Sequence, residues 1–153
     1  MYVEDVMSKK VITMDCHETV SEAYKKYRDF KVGCLVIKDN ERCVVGIVTE
    51  RDLIERTINI IPEEKEKSML IDPKKTEIKE IMSSNIKTIH PFEKIETAVE
   101  IMEKYRIKKL PVVSDNNKLV GIISITDIAL AVPELTGRVE RFIQSWVCPS
   151  WEK

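Results

Sequence analysis

Apolar positions along this chain follow two alternating rhythms. Short unbroken apolar runs, "CLVI" (34–37), "VVGIV" (44–48), "LPVV" (110–113) and "LVGII" (119–123), are bounded by polar residues. Runs of this length and β-rich composition read as buried strands. The polar turns "KDNER" and "SDNNK" join them in pairs and predict two hairpins. Shorter β-rich runs at Val11–Met14 and Ile86–Ile89 predict one more strand before each hairpin. Elsewhere the spacing is helical. Val20, Ala23, Tyr24 and Tyr27 share one helix face, as do Ile95, Ala98, Val99, Met102 and Tyr105. Further helices are expected to begin near Glu50 and Ile125, where the hairpins end. Val139, Phe142, Ile143, Trp146 and Val147 place one more amphipathic helix near the C-terminus.

The two halves repeat each other without a gap at an offset of 75 residues. Met7 falls on Met82, Ser8 on Ser83, Thr13 on Thr88, Ala23 on Ala98, Leu35 on Leu110, Gly46 on Gly121 and Asp52 on Asp127. Each half reads β-α-β-β-α, a mixed α/β (α+β) unit too small to bury a core by itself. The expected boundaries are 1–60 for the first repeat, 61–77 for a linker punctuated by Pro62 and Pro73, 78–132 for the second repeat, and 133–153 for a helical extension.

Charge narrows the function classes. Of 153 residues 33% are charged, but 25 basic residues stand against 26 acidic ones. A general nucleic-acid grip requires an excess of Lys and Arg, so nucleic acid is an unfavoured partner. No apolar stretch is long enough to span a bilayer, and the first residues, "MYVEDVMSKK", contain no secretory apolar segment. The expectation is a cytoplasmic protein with no membrane partner. Four cysteines (16, 34, 43 and 148) and two histidines (17 and 90) form no spaced metal motif, so no metal is expected. No nucleophile–base constellation or phosphate loop is legible, which argues against an enzyme and against a catalytic cofactor.

The candidate chemistry lies at the doubled junctions "GIVTERD" (46–52) and "GIISITD" (121–127). Thr49 and Ser124 suit the N-cap of a following helix, and an acid suits its first turn. Capping explains the hydroxyls, and explains less well why both halves use Asp. A short carboxylate beside a strand–helix junction also suits the two hydroxyls of a ribose. On that reading Gly46 and Gly121 let a ligand approach the strand.

The motifs "DVMSKKVIT" and "EIMSSNIKT", "TVSEAYKKY" and "KIETAVEIM", "LPVV" and the two hydroxyl-x-x-Asp junctions resemble a tandem pair of cystathionine-β-synthase (CBS) domains, a Bateman module of the stand-alone prokaryotic type. The resemblance covers about residues 3 to 132. It implies two pseudo-symmetric repeats, a homodimer, and a bound adenine nucleotide or adenosine derivative: AMP, ADP, ATP, S-adenosylmethionine or methylthioadenosine. It implies two ligand clefts, each drawing on both repeats. One joins Ser124, Thr126 and Asp127 to Ile12, Thr13, Val32, Gly33 and Cys34. The other joins Thr49, Arg51 and Asp52 to Lys87, Thr88, Ile107, Lys108 and Lys109. The cations of the second set favour phosphorylated ligands. The function implied is regulatory, with an effector protein in another chain. The alternatives are a ligand-independent interaction module regulating a partner enzyme or transporter and, less favoured, a nucleic-acid binder. The C-terminal helix either covers the core or forms a dimer or partner contact.

Overall fold

The 75-residue repeat reappears in the backbone down to its irregularities. The computed structural model describes residues 1–57 and 72–146. In the first half, β1 (Thr13–Asp15) precedes helix α2 (Val20–Phe30), the hairpin β2 (Cys34–Lys38) and β3 (Val44–Thr49), and helix α3 (Glu50–Thr57); a short helix α1 (Val3–Val6) comes before them all. In the second half, a 3-10 turn (Ile78–Glu80) precedes α4 (Ile95–Tyr105), β4 (Lys109–Val113), β5 (Leu119–Ser124) and α5 (Ile125–Ala131). A second 3-10 turn (Pro133–Leu135) leads into α6 (Thr136–Gln144). Both hairpins are antiparallel, and both carry a register shift at equivalent places, Ile37/Lys38 and Val112/Val113. The left-handed residues also match: Lys31 with Arg106, which end α2 and α4, and Arg42 with Asn117 in the hairpin turns.

The compact units in space are not the repeats in sequence. One unit is continuous, Val11–Ile86; the other joins Met1–Lys10 to Lys87–Lys153. The segment that introduces each repeat is thus built into the unit of the other repeat. In the continuous unit, Ile47 and Ser83 exchange backbone N–H···O bonds of 3.1 Å in both directions. In the other, Ser8 and Ile122 do the same at 2.8 and 2.9 Å. Each "Met-Ser" pair therefore seals the free edge of a terminal strand, β3 or β5, which would otherwise present unpaired backbone groups.

Gly46 and Gly121 have a different role from the one the sequence suggested. A Cβ on Gly46 would lie 2.4 Å from Met82 Sδ and 3.0 Å from the Ser83 carbonyl oxygen. A Cβ on Gly121 would lie 2.7 Å from Met7 Sδ and 2.8 Å from the Ser8 carbonyl oxygen. The space beside each glycine is filled by this chain's own Met-Ser segment, and that packing accounts for the glycine.

The continuous unit holds a three-stranded sheet in the order β1-β2-β3, with β1 parallel to β2. The expected strand at Ile86–Ile89 shrinks to a single parallel bridge between Ile89 and Val112. The reason is one residue. In the first half Val36 N–H donates to the Ile12 carbonyl at 3.3 Å; the equivalent of Val36 is Pro111, which has no N–H to give.

Each unit has its own apolar core. Met14, Val20, Ala23, Leu35, Val48 and Leu53 anchor the continuous unit; Ile95, Met102, Leu110, Ile123, Ile128 and Phe142 anchor the other. α2 is capped by Thr19, whose Oγ accepts from Glu22 N–H at 3.3 Å while Glu22 Oε2 accepts from Thr19 N–H at 2.8 Å, a reciprocal capping box. Tyr27 departs from a purely apolar helix face: its buried phenol donates to the Val48 carbonyl. Tyr24, expected on the buried face, is exposed. α6 packs on the second core through Val139 and Phe142, whereas Ile143 is 40% exposed, contrary to the expectation from its spacing. Of the predicted linker, residues 61–71 lie outside the described residues, as does Val147 of the C-terminal pattern. No helix of the described residues is long and apolar enough to cross a membrane.

Candidate functional site

At both doubled junctions the hydroxyl and the acid bind each other's backbone. Thr49 Oγ1 accepts from Asp52 N–H at 3.0 Å, and Asp52 Oδ2 accepts from Thr49 N–H at 3.2 Å. Ser124 Oγ accepts from Asp127 N–H at 3.1 Å, and Asp127 Oδ2 accepts from Ser124 N–H at 3.1 Å. These are capping boxes with Asp in the place usually held by Glu. The shorter side chain keeps the carboxylate close to the strand end, half-buried in both cases. The cap uses Oδ2; a carboxylate has a second oxygen with its own lone pairs. Capping and ligand holding are therefore compatible in one side chain.

The remaining sequence-derived residues fall into two groups, one per unit. In the continuous unit Cys34 stands opposite Thr49 across the β2–β3 ladder, with Val32 and Gly33 just before it. Ile12 and Thr13 sit at β1, where Lys26 Nζ donates to the Thr13 carbonyl at 3.1 Å. Arg51 is exposed and pairs with Glu55 one helical turn on, Nε to Oε1 2.8 Å, so its charge is shared along the surface of α3. In the other unit Lys109 stands opposite Ser124. The Lys108 carbonyl accepts from Ile125 N–H at 2.8 Å, which ties this strand start to the first residue of α5. Thr126 is exposed on that helix, while Ile107 and Thr88 are half-buried.

The cations of this second group are not equivalent. Lys87 Nζ lies 4.4 Å from the centre of the Tyr105 ring and Lys108 Nζ 4.8 Å from that of Trp146. Both are occupied by aromatic faces. Arg106 also lies over Trp146, at 5.2 Å, and donates to the Ser145 carbonyl at 2.9 Å.

Two features were not anticipated from the sequence. An open groove of about 410 Å³ lies along the end of α2 and the start of α3, lined by Tyr24, Tyr27, Arg28, Lys31, Val32 and Glu50. Val32 was the only one of these expected to bind a ligand, because a helix face and a helix start become neighbours only in the fold. The ligand atoms of Asp15, Cys16 and His17 also lie within 4.8 Å of one another. Spaced metal motifs were sought in the sequence, and three consecutive ligating residues do not form one. The Cys16 thiol is pushed above its ordinary value, first by burial and then by Asp15, which makes it a poor free nucleophile.

The model of the CBS domain matches residues 3–59 and 78–134. The chain belongs to the CBS domain family. Its two matched segments coincide with the two halves of the 75-residue repeat, making it a tandem CBS pair. An uncharacterised protein of Methanopyrus kandleri is 33% identical over 138 residues, 90% of this chain and 66% of that protein. Inosine-5'-monophosphate dehydrogenase of Methanocaldococcus jannaschii is 31% identical over 125 residues, 82% of this chain but 22% of the enzyme. The crystal structure of the CBS domain pair of protein MJ0100, in complex with 5'-methylthioadenosine and S-adenosyl-L-methionine, superposes with a TM-score of 0.67 at 29% identity, covering 90% of this chain and 98% of that one.

Proposed function

We propose that this CBS pair is a non-catalytic, cytoplasmic regulatory module that binds an adenosine-type ligand and acts on an effector protein. One observation carries the reading: a half-buried Asp is pinned by a hydroxyl cap at the start of both α3 and α5. The likeness to a CBS pair complexed with methylthioadenosine and S-adenosylmethionine supports this class of ligand. The AMP, ADP and ATP members of the class rest on the cations. Asp52 and Asp127 would take the ribose, assisted by Thr49, Ser124 and Thr126, and Arg51, whose charge is shared with Glu55, would face phosphate. Ile12, Thr13, Val32, Gly33 and Cys34, and in the other unit Lys87, Thr88, Ile107, Lys108 and Lys109, would line the base and phosphate positions. Lys109 is the cation of that group for phosphate, since Lys87 and Lys108 are drawn to aromatic rings. A homodimer is part of the proposal, as the resemblance to CBS pairs implies.

The test is calorimetric titration of the full chain with AMP, ADP, ATP, adenosine, S-adenosylmethionine and methylthioadenosine, beside the Asp52→Ala and Asp127→Ala variants. Saturable binding lost in one variant assigns the ligand and its Asp. Lys109→Ala weakening AMP but not adenosine places the phosphate. Absence of binding by all six compounds would transfer the reading to a ligand-independent interaction module.

A further inference from the structure

The turn between β1 and α2 gathers three chemically different metal donors. Asp15 offers a carboxylate oxygen, Cys16 a sulfur and His17 a ring nitrogen, all within 4.8 Å of one another. A fourth donor comes from the residue just before the Ile78–Glu80 turn: Glu77 Oε1 is 3.5 Å from His17 Nδ1. We propose that Asp15, Cys16, His17 and Glu77 form a site for a divalent transition metal of the zinc class. The donor set has one thiolate, one imidazole and two carboxylates, which suits a borderline-soft ion and disfavours magnesium or calcium.

The backbone around the donors is already fixed. His17 N–H donates to Asp15 Oδ1 at 2.9 Å, and Asp15 N–H to Glu18 Oε2 at 2.8 Å. Cys16 N–H donates to the Lys38 carbonyl at 2.9 Å, and the Cys16 carbonyl accepts from Lys79 N–H at 3.2 Å. Ile78 N–H donates to the Glu18 carbonyl at 2.7 Å, so Glu77 is held beside the turn. Donor atoms around a tetrahedral zinc stand about 3.3–3.8 Å apart, given bond lengths of roughly 2.0–2.3 Å. Rotation of side chains closes the difference, and His17, half-exposed, leaves an entry path. Lys79 Nζ, 3.1 Å from Glu77 Oε2, is the competing cation and must yield that carboxylate in part. On binding, the Cys16 S–H bond breaks, its proton passes to solvent and the sulfur lone pair is donated to the ion; no redox change is involved. The equivalent turn of the second repeat reads His90-Pro91-Phe92, which keeps one imidazole but no thiol or carboxylate, and among the described residues the cluster is single. Its role would be to clip the segment around Glu77 to the turn.

The experiment is titration of the reduced, metal-free full chain with cobalt(II), followed by competition with zinc. The expected result is one equivalent bound, with thiolate-to-cobalt charge-transfer absorption in the near ultraviolet that zinc abolishes. Cys16→Ser should remove that band, while Cys34→Ser, Cys43→Ser and Cys148→Ser keep it. His17→Ala, at an exposed position that leaves folding intact, should weaken binding by at least about tenfold. Glu77→Gln should weaken it as well. A spectrum without the thiolate band, or one that survives Cys16→Ser, overturns the site; so does unchanged affinity in His17→Ala.

Discussion

Gly121 and Met7 share one volume: a Cβ on the glycine would stand 2.7 Å from the methionine sulfur. Met7 Sδ can swing away, but the Ser8 carbonyl oxygen at 2.8 Å belongs to the backbone bridge with Ile122 and cannot. Gly121→Ala should therefore destabilise the chain by about 1–3 kcal/mol, the usual range for overpacking. Gly46→Ala, whose nearest backbone atom is the Ser83 oxygen at 3.0 Å, should cost less. Urea unfolding of the two variants side by side checks the order, and equal losses would refute the backbone origin of the difference.

The capping boxes make a separate claim about stability. Ser124→Ala and Thr49→Ala each remove the acceptor of an N-terminal helix N–H and should each cost about 1 kcal/mol in denaturant unfolding. Ser124→Thr and Thr49→Ser retain the acceptor and should recover most of the loss.

Tyr27 gives a pH dependence. Burial, ahead of any neighbouring charge, pushes its phenol far above the ordinary tyrosine range. The folded chain then keeps the proton at a pH where the unfolded chain has released it. Stability is full below the unfolded value of about 10 and falls as pH rises above it. Tyr27→Phe should cost about 1 kcal/mol at neutral pH, because the Val48 carbonyl loses its donor. The same variant should flatten the alkaline fall, as read by urea unfolding at neutral and alkaline pH.

Lys31 ends α2 with φ of 51°, a left-handed conformation that side chains other than glycine adopt at a cost. Lys31→Gly should stabilise the chain by about 0.5–1 kcal/mol, measured as a raised unfolding midpoint with unchanged slope.

On α6 the neighbours Phe142 and Ile143 should behave oppositely. Phe142, 6% exposed, packs in the second core and meets Trp146 edge-on at 5.7 Å. Phe142→Ala should cost about 3 kcal/mol, and Ile143→Ala less than about 0.5 kcal/mol. Thermal unfolding of both variants distinguishes them.

The repeat, the hairpins and the helix starts at Glu50 and Ile125 were legible in the sequence because each depends on local pattern. The doubled hydroxyl and Asp were legible for the same reason, as residues of one junction. What was hidden depends on pairing between distant segments. Nothing near Gly46 in the chain announces Met82, so the glycine looked like an opening for a ligand. Pro111 stood in plain view within the strand run, but the rung it removes belongs to the partner run at Lys87. Ile143 obeyed the helical spacing, yet α6 buries only Val139 and Phe142 of that face, which spacing alone does not tell. The company of each candidate site residue likewise came only from strand register, as with Cys34 opposite Thr49 and Lys109 opposite Ser124.

The exchange of the two Met-Ser segments bears on how the chain is made. Translation delivers Val11–Ile86 as one uninterrupted stretch, so that unit has all its parts once Ile86 has emerged. The other unit joins the segments on either side of that stretch, Met1–Lys10 and Lys87–Lys153. Met7 and Ser8 are synthesised before that stretch, but the strand edge they seal at Gly121 and Ile122 is synthesised after it. While Val11–Ile86 is being made, Val3 and Met7 are without their final neighbours, which arrive with the segment from Lys87 onward. The order of translation thus sets the order in which the two units can be completed.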